Sequence, residues 1–334
     1  MKIGVFANSS ADIGEGHAMR CLSLAQAFNP VKVSWFYTNL TERNISLINQ
    51  QKHISLIKLN SSDELKEQIE ERGVETIIID DYQIYLQEPL TDQITTVVFD
   101  DLAKRFIDAD ILIDANPLRE STDYQGYINS SCELLLNENY MMLGREYFSK
   151  QEMTTSQEHQ GKQAGHIFFG ATDPLAYSLP ITQYLCEQFP SWNWRLVVTR
   201  LTPNKDECLE LSELYNNLIV EYEPSSLAEG LLVSSVAIGA PGTTTWERLA
   251  AHCHCGLIAS NTNQVDILLA LENKGYICFL QGSNFSDHLE ALNDFLLQDK
   301  EKTESIVFSD DAAESLVNKI TEKTLRNMKE RSLG

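Results

Sequence analysis

The chain's 334 residues exceed what one hydrophobic core usually supports, so two domains of about 150 residues are expected. Hydrophobic residues make up 43% and charged residues 22%, ordinary globular usage that excludes disordered and collagenous chains. Against 26 Lys and Arg stand 48 Asp and Glu, and the formal net charge of -22 repels nucleic acid and anionic membranes, so neither is expected as a partner.

An acidic chain can still bind a small phosphate ligand, because backbone N–H groups at helix N-termini supply local positive potential without lysine. The seven cysteines are odd in number, widely spread and without paired metal spacing, which fits a reducing compartment. The chain enters MKIGVFANSS directly, and no stretch approaches the roughly 18 apolar residues of a membrane helix. A cytoplasmic protein, monomeric or weakly oligomeric, is expected.

In chain order, Lys2 to Ala7 reads as a strand, Gly16 to Phe28 as a helix, Val31 to Tyr37 as a strand and Leu40 to Asn49 as a helix. Ile54 to Leu59 is a strand, and Ser62 to Arg72 a helix with an N-cap in its Ser-Ser-Asp start. Glu75 to Asp80, Thr96 to Asp100 and Asp110 to Asp114 complete the strands of the first half. Such βα alternation marks a parallel sheet covered by helices. The polar, aperiodic stretch from Lys150 to Gly165 places a boundary there, giving domains 1–155 and 156–334. Alternation restarts with a strand at His166 to Phe169 and a helix at Tyr177 to Phe189. Strands at Trp194 to Thr199, Leu218 to Tyr222, Ser234 to Gly239 and Gly256 to Ala259 follow, with helices between them. The last helix, Ser309 to Lys329, is free to cross back onto the first domain. The expected fold class is α/β, with two Rossmann-like parallel-sheet domains facing a cleft and ligands beyond the carboxyl ends of the strands.

After the first strand, the loop SSADIGEGHAMRC carries Gly14 and Gly16, which free the backbone, and His17 and Arg20 at the helix start. The spacing alone equally fits a tight turn with a solvent-exposed histidine. Position beyond the first parallel strand favours a role, and a neutral imidazole is the usual general base. GATDP at Gly170 to Pro174 and APGTTTWER at Ala240 to Arg248 occupy two further strand ends, where N–H groups and hydroxyls can cradle phosphate. Plain N-capping is the alternative, but capping needs one threonine and this loop has three. Glu247 could accept hydrogen bonds from ribose hydroxyls, and Asn263 and Gln264 offer amides to a sugar. Asp80-Asp81 and Asp100-Asp101 also end strands, where carboxylates serve catalysis or cap turns. Tyr82 fits a substrate contact better than a base, since a phenol stays protonated at neutral pH. His252-Cys253-His254-Cys255 looks metallic, but contiguous residues rarely reach one tetrahedral ion, so no metal is expected there.

Together, IGEGHAMRCLSLAQAF at Ile13 to Phe28, IIIDDY at Ile77 to Tyr82, VVFDDLA at Val97 to Ala103, GATDP, GTTTWER and the later Asn263-Gln264 resemble the UDP-sugar hydrolases of pseudaminic acid biosynthesis. The resemblance spans most of the chain. It implies a GT-B-like fold and release of UDP from a 2,4-diacetamido-2,4,6-trideoxy-altropyranose, by inverting attack of water at the anomeric carbon. It makes His17 the base and places Gly14, Gly16, Arg20, Tyr82, Asn263 and Gln264 around the sugar. Gly170, Thr172, Asp173, Gly242, Thr243 and Thr244 would hold the diphosphate and Glu247 the ribose, with no cofactor and no metal. The chain departs from the family in reading GATD for GGxD, APGTTT for AGGSTT, and YMMLGREYFSKQEM across Tyr140 to Met153.

A glycosidase normally uses two carboxyls, but UDP departs as a stabilised anion, so one base can suffice. A sugar transferase of the same architecture differs only in replacing water by a carbohydrate hydroxyl. UDP release without acceptor separates the two. A non-catalytic sugar-nucleotide binder would bind without turnover.

Overall fold

The computed structural model describes residues 1–10, 13–84, 90, 93–148, 163–297 and 306–333. The chain divides into two compact units, Met1–Met142 with Phe308–Gly334, and Leu143–Val307. The division thus falls before the expected boundary, and the C-terminal helix belongs to the first unit. Most of the polar stretch from Lys150 to Gly165 lies outside the described residues.

The first unit holds seven parallel strands: β1 (Ile3–Ala7), β2 (Val33–Tyr37), β3 (Ile54–Lys58), β4 (Thr76–Asp80), β5 (Thr95–Phe99), β6 (Ile111–Asp114) and β7 (Glu133–Leu136). Their order is β3-β2-β1-β4-β5-β6-β7. Every residue of β1, β4, β5 and β6 is buried, as befits strands covered on both faces. The two-residue period sends Ile78 to one face, with Trp35 and Leu24, and Ile77 and Ile79 to the other, with Phe36 and Leu65. Helices α1 (Gly16–Ala27), α2 (Glu42–Asn49) and α3 (Leu65–Arg72) follow the first three strands. α3 stops at Gly73, whose φ of 62° is the left-handed conformation of a helix C-terminus.

The second unit repeats the plan with β8 (Ala164–Phe168), β9 (Asn193–Val198), β10 (Leu218–Tyr222), β11 (Val236–Gly239), β12 (His254–Leu257) and β13 (Cys278–Phe279), all parallel, in the order β10-β9-β8-β11-β12-β13. Between and after them run α4 (Ser178–Gln188), α5 (Lys205–Leu214), α6 (Ala228–Leu232), α7 (Thr243–Ala250), α8 (Val265–Asn273) and α9 (Phe285–Leu297). The final helix, α10 (Ala312–Leu333), buries Leu316 and Ile320 in the first unit's core. Its Asn327 amide donates to Thr95 and Asp110, and Arg331 donates to the Ile94 carbonyl.

Both sheets are therefore α/β doubly wound. In each, the strand order reverses once, between β1 and β4 and between β8 and β11, the position beyond whose carboxyl strand ends doubly wound sheets generally take their ligands. No helix of the described residues is long and apolar enough to cross a membrane.

Candidate active site and nucleotide loops

Parallel pairing sets Ala7 of β1 beside Asp80, the last residue of β4. The β1–α1 turn therefore lies next to the Asp80 carboxylate. Gly14 turns with φ +83° and its N–H donates to the Ser10 carbonyl, and Gly16 opens α1, with His17 next in line. Glu15 ties this turn to α2 by accepting from the Thr41 hydroxyl at 3.1 Å and pairing with Arg43. Asn8 closes the other side. Its Oδ1 accepts from the Thr38 and Asn39 N–H groups, and its Nδ2 donates to Asp81 at 2.8 Å.

His17 Nδ1 lies 2.7 Å from Oδ1 of the fully buried Asp80. An ionised carboxylate accepts only, so Nδ1 carries the proton and Nε2 is left with its lone pair, free of hydrogen bonds among the described residues. Tyr82 packs edge-on against the imidazole, with ring centroids 4.9 Å apart. Its hydroxyl donates to Asp101 Oδ2 at 2.7 Å. Arg20 pairs with both Asp80 and Asp101.

Burial alone would hold the His17 pKa down, but the hydrogen bond and charge of Asp80, with a smaller contribution from Asp101, carry it above the ordinary 6.5. Asp80, against its burial, is held well below the usual carboxylate range by Arg20 and His17. Burial and the neighbouring Asp101 push the Tyr82 phenol far up, so it is a donor and never a base.

In the second unit, Gly170, Thr172 and Asp173 lie beyond β8, and Gly242, Thr243, Thr244 and Glu247 beyond β11. Gly239 lets these two strand ends close up, since a Cβ there would stand 1.8 Å from the Phe168 carbonyl oxygen. Thr243 is exposed and Thr244 half-buried, and neither hydroxyl has a hydrogen bond among the described residues. Thr245 supplies the cap instead, its Oγ1 accepting from the Gly242 N–H at 3.2 Å. Of the three threonines, two are free to meet a ligand. The Asp173 side chain does not fit the expected diphosphate role. Buried, at φ 37°, its two oxygens accept from the Tyr177 and Ser178 N–H groups at 3.1 and 2.8 Å, which anchors the start of α4. Gly170 and Thr172 remain on the open side of that turn. Asn263 is exposed in a 3-10 turn beyond β12, and Gln264 Oε1 in the same turn accepts from the Ser260 N–H at 2.7 Å.

Two residues of this edge escaped the sequence reading. Arg248 is fully buried behind both loops, its Nη1 donating to the Ala240 carbonyl at 2.8 Å and its Nη2 to that of Phe168 at 2.6 Å. Among the described residues it pairs with no carboxylate; burial lowers its pKa. Tyr147 is buried with its phenol on Glu247, whose pKa burial raises against the Tyr147 hydrogen bond. Both lie in motifs quoted above, but only the tertiary arrangement reveals the contact. From Ser149 onward the Tyr140 to Met153 stretch lies outside the described residues. His252-Cys253-His254-Cys255 forms no metal cluster: among the described residues no group of three such ligands converges, and the Cys253 and Cys255 thiols approach main-chain carbonyls.

No family model matches the chain. It is 26% identical over 282 residues, 83% of its own length and 98% of the other, to the UDP-2,4-diacetamido-2,4,6-trideoxy-beta-L-altropyranose hydrolase of Campylobacter jejuni. It is 24% identical over 267 residues, 75% of its length and 54% of the other, to the uncharacterised protein MJ1062 of Methanocaldococcus jannaschii. Among solved structures it is similar to S. aureus MnaA with UDP, at a TM-score of 0.63 and 11% identity over 98% of this chain and 97% of that one. UDP-GlcNAc 2-epimerase of Neisseria meningitidis bound to UDP-GlcNAc gives a TM-score of 0.61 and 12% identity, covering 96% and 100%. MurG of Acinetobacter baumannii gives 0.60 and 12%, covering 96% and 99%. These structural likenesses show the fold, two Rossmann-like domains of the GT-B kind, and the similarity to the Campylobacter hydrolase supports the resemblance carried by the motifs.

Proposed function

We propose that the protein hydrolyses a UDP-linked 2,4-diacetamido-2,4,6-trideoxy hexose, with His17 as general base. One observation carries this reading: Asp80 pins the proton of His17 on Nδ1 and leaves Nε2 a basic lone pair with no hydrogen-bond partner among the described residues. Nε2 takes a proton from water as the water oxygen bonds to the anomeric carbon, on the face opposite UDP. The bond from that carbon to the β-phosphate oxygen breaks, and its electron pair leaves on UDP. A diphosphate departs as a stable anion, so the step asks for one base and no strong acid. The loops beyond β8 and β11 hold the nucleotide through orphan N–H groups and the hydroxyls of Thr243 and Thr244. Glu247 takes the ribose. The similarity to the Campylobacter hydrolase supports the choice of substrate class; a place in nonulosonate, specifically pseudaminic acid, biosynthesis rests on the motif resemblance, and a cytoplasmic location is part of the same proposal.

The test is incubation of the purified protein with a panel of UDP-amino sugars in 18O-labelled water, without acceptor, followed by mass spectrometry. UDP and a free diacetamido sugar carrying 18O at its anomeric hydroxyl are expected, with inversion seen by NMR. Release of UDP only when a carbohydrate acceptor is added would replace the hydrolase by a transferase.

A further inference from the structure

The guanidinium of Arg20 is held by two carboxylates, those of Asp80 and Asp101. Nε meets Asp80 Oδ2, Nη2 donates to Asp80 Oδ1 at 2.7 Å, and Nη1 donates to Asp101 Oδ1 at 3.0 Å. Nη2 also stands 2.9 Å from Asp101 Oδ2, and the group lies over the Phe99 ring, 5.0 Å from its centroid. A planar fork spent in this way on two carboxylates has its direction fixed by the protein. Asp80 Oδ1 is shared: it receives both Arg20 Nη2 and His17 Nδ1, each at 2.7 Å. The two donors stand 3.3 Å from one another.

We propose that Arg20 does not bind the substrate and is a positioning residue that acts on the attacking water through Asp80 and His17. Deepening the hydrolase reading, the inference rests on it for the word water, while the geometry concerns the base alone. By holding Asp80 bidentately, Arg20 fixes the oxygen that orients the imidazole. Because its own N–H groups face Nδ1, its charge opposes a second proton on the ring. Asp101 has the reverse influence, adding negative charge near His17 while drawing Arg20 aside. The charged and titratable groups that face His17 are Asp80 from β4, Tyr82 just past it, Arg20 from α1 and Asp101 past β5. Substituting either Arg20 or Asp101 therefore has a sign. Without Arg20, Asp80 is uncompensated beside the ring and protonation becomes easier. Without the Asp101 charge, protonation becomes harder.

The experiment is an NMR titration of the His17 imidazole in the full chain labelled at histidine, without substrate, assigned by His17→Asn. It compares wild type, Arg20→Gln and Asp101→Asn. The His17 midpoint is expected to move to higher pH in Arg20→Gln and to lower pH in Asp101→Asn. The acid limb of kcat/KM is expected to follow each, so that the deficit of Arg20→Gln shrinks as pH rises. Should Arg20→Gln fail to fold, Asp101→Asn carries the test, its carboxylate being partly exposed. An unmoved midpoint in either folded variant overturns the proposal, as does a KM raised equally at every pH in Arg20→Gln with the limb in place. If no UDP-sugar is hydrolysed at all, the hydrolase reading fails, and the titration still decides whether Arg20 governs the histidine.

Discussion

Asp80 and His17 meet at 2.7 Å across 63 residues of sequence, one closing β4 and the other opening α1. The contact exists because β4 pairs with β1 at the point where the strand order reverses, so the end of one strand faces the turn after the other. On the proposed reaction, replacing His17 by Leu or Asn removes the base. Turnover should fall by on the order of 10²-fold or more, with UDP affinity unchanged, as calorimetry on the folded variant would read. Asp80→Asn keeps the shape but frees the imidazole tautomer, and a loss in kcat of similar order is expected. In wild type the base is active when neutral, and its pKa lies above 6.5. The rate should therefore fall as pH drops through that raised value. Full hydrolysis by His17→Leu would end the assignment and turn attention to Asp81 and Asp101.

Glu247 is half-buried against the Tyr147 phenol, just inside α7. If it takes the ribose hydroxyls, Glu247→Ala should weaken UDP binding by about 1–3 kcal/mol, the cost of a lost charged hydrogen bond. Tyr147→Phe leaves the carboxylate in place but removes its donor, so a smaller loss is expected. Titration calorimetry with UDP reads both, and an unchanged dissociation constant in folded Glu247→Ala would count against the ribose role.

The buried β-branched runs of Ile77 to Asp80 and Val97 to Phe99 declare strands by themselves, and their alternation with helical segments declares a parallel sheet. Glu133–Leu136 and Cys278–Phe279 were not legible: the first is a short edge strand opened by a charge, the second only two residues long. His17 could be picked out because it follows the first strand. Its partner could not, since Asp80 becomes its neighbour only through strand order, which no local pattern encodes. Arg20 was legible as a site residue, but whether it faces substrate or carboxylates depends on where Asp80 and Asp101 fall. Asp173 shows the same limit from the other side. An Asp in a βα turn suits either a ligand or a cap, and its two N–H donors at the start of α4 decide for the cap.

Arg248 fastens the loops beyond β8 and β11 from behind, holding the carbonyls of Phe168 and Ala240 that precede them. Arg248→Met keeps the bulk but strands two carbonyl oxygens and removes the charge. Roughly 2–6 kcal/mol of unfolding free energy should be lost, from about 1–3 kcal/mol for each of the two unpaired groups. Arg248→Lys retains the charge without the fork and should recover only part. Denaturant titrations of the three proteins make the comparison, and equal midpoints would show that Arg248 does not fasten these loops.

His166 in β8 is wholly buried, and among the described residues neither ring nitrogen has a hydrogen-bond partner. Burial, with the nearby charges of Arg248 and Arg195, pushes its pKa from 6.5 down to about 3. The folded chain therefore holds this ring neutral, while the unfolded chain protonates it as pH falls below 6.5. Between those two values the unfolded state binds more protons, so stability falls as pH falls, with a loss of roughly 2 kcal/mol from about pH 7 to about pH 5. The loss should level off only below the folded value. His166→Leu removes the titration and with it this slope. The absolute stability of the variant depends on how leucine fits beside Gly230, where a Cβ would stand 2.8 Å from the imidazole Cδ2. The diagnostic quantity is therefore the difference between denaturation free energies at pH 7 and pH 5, which should shrink in the variant. A pH dependence identical to wild type would mean that His166 is hydrated or paired in solution, and the buried neutral ring would have to be given up.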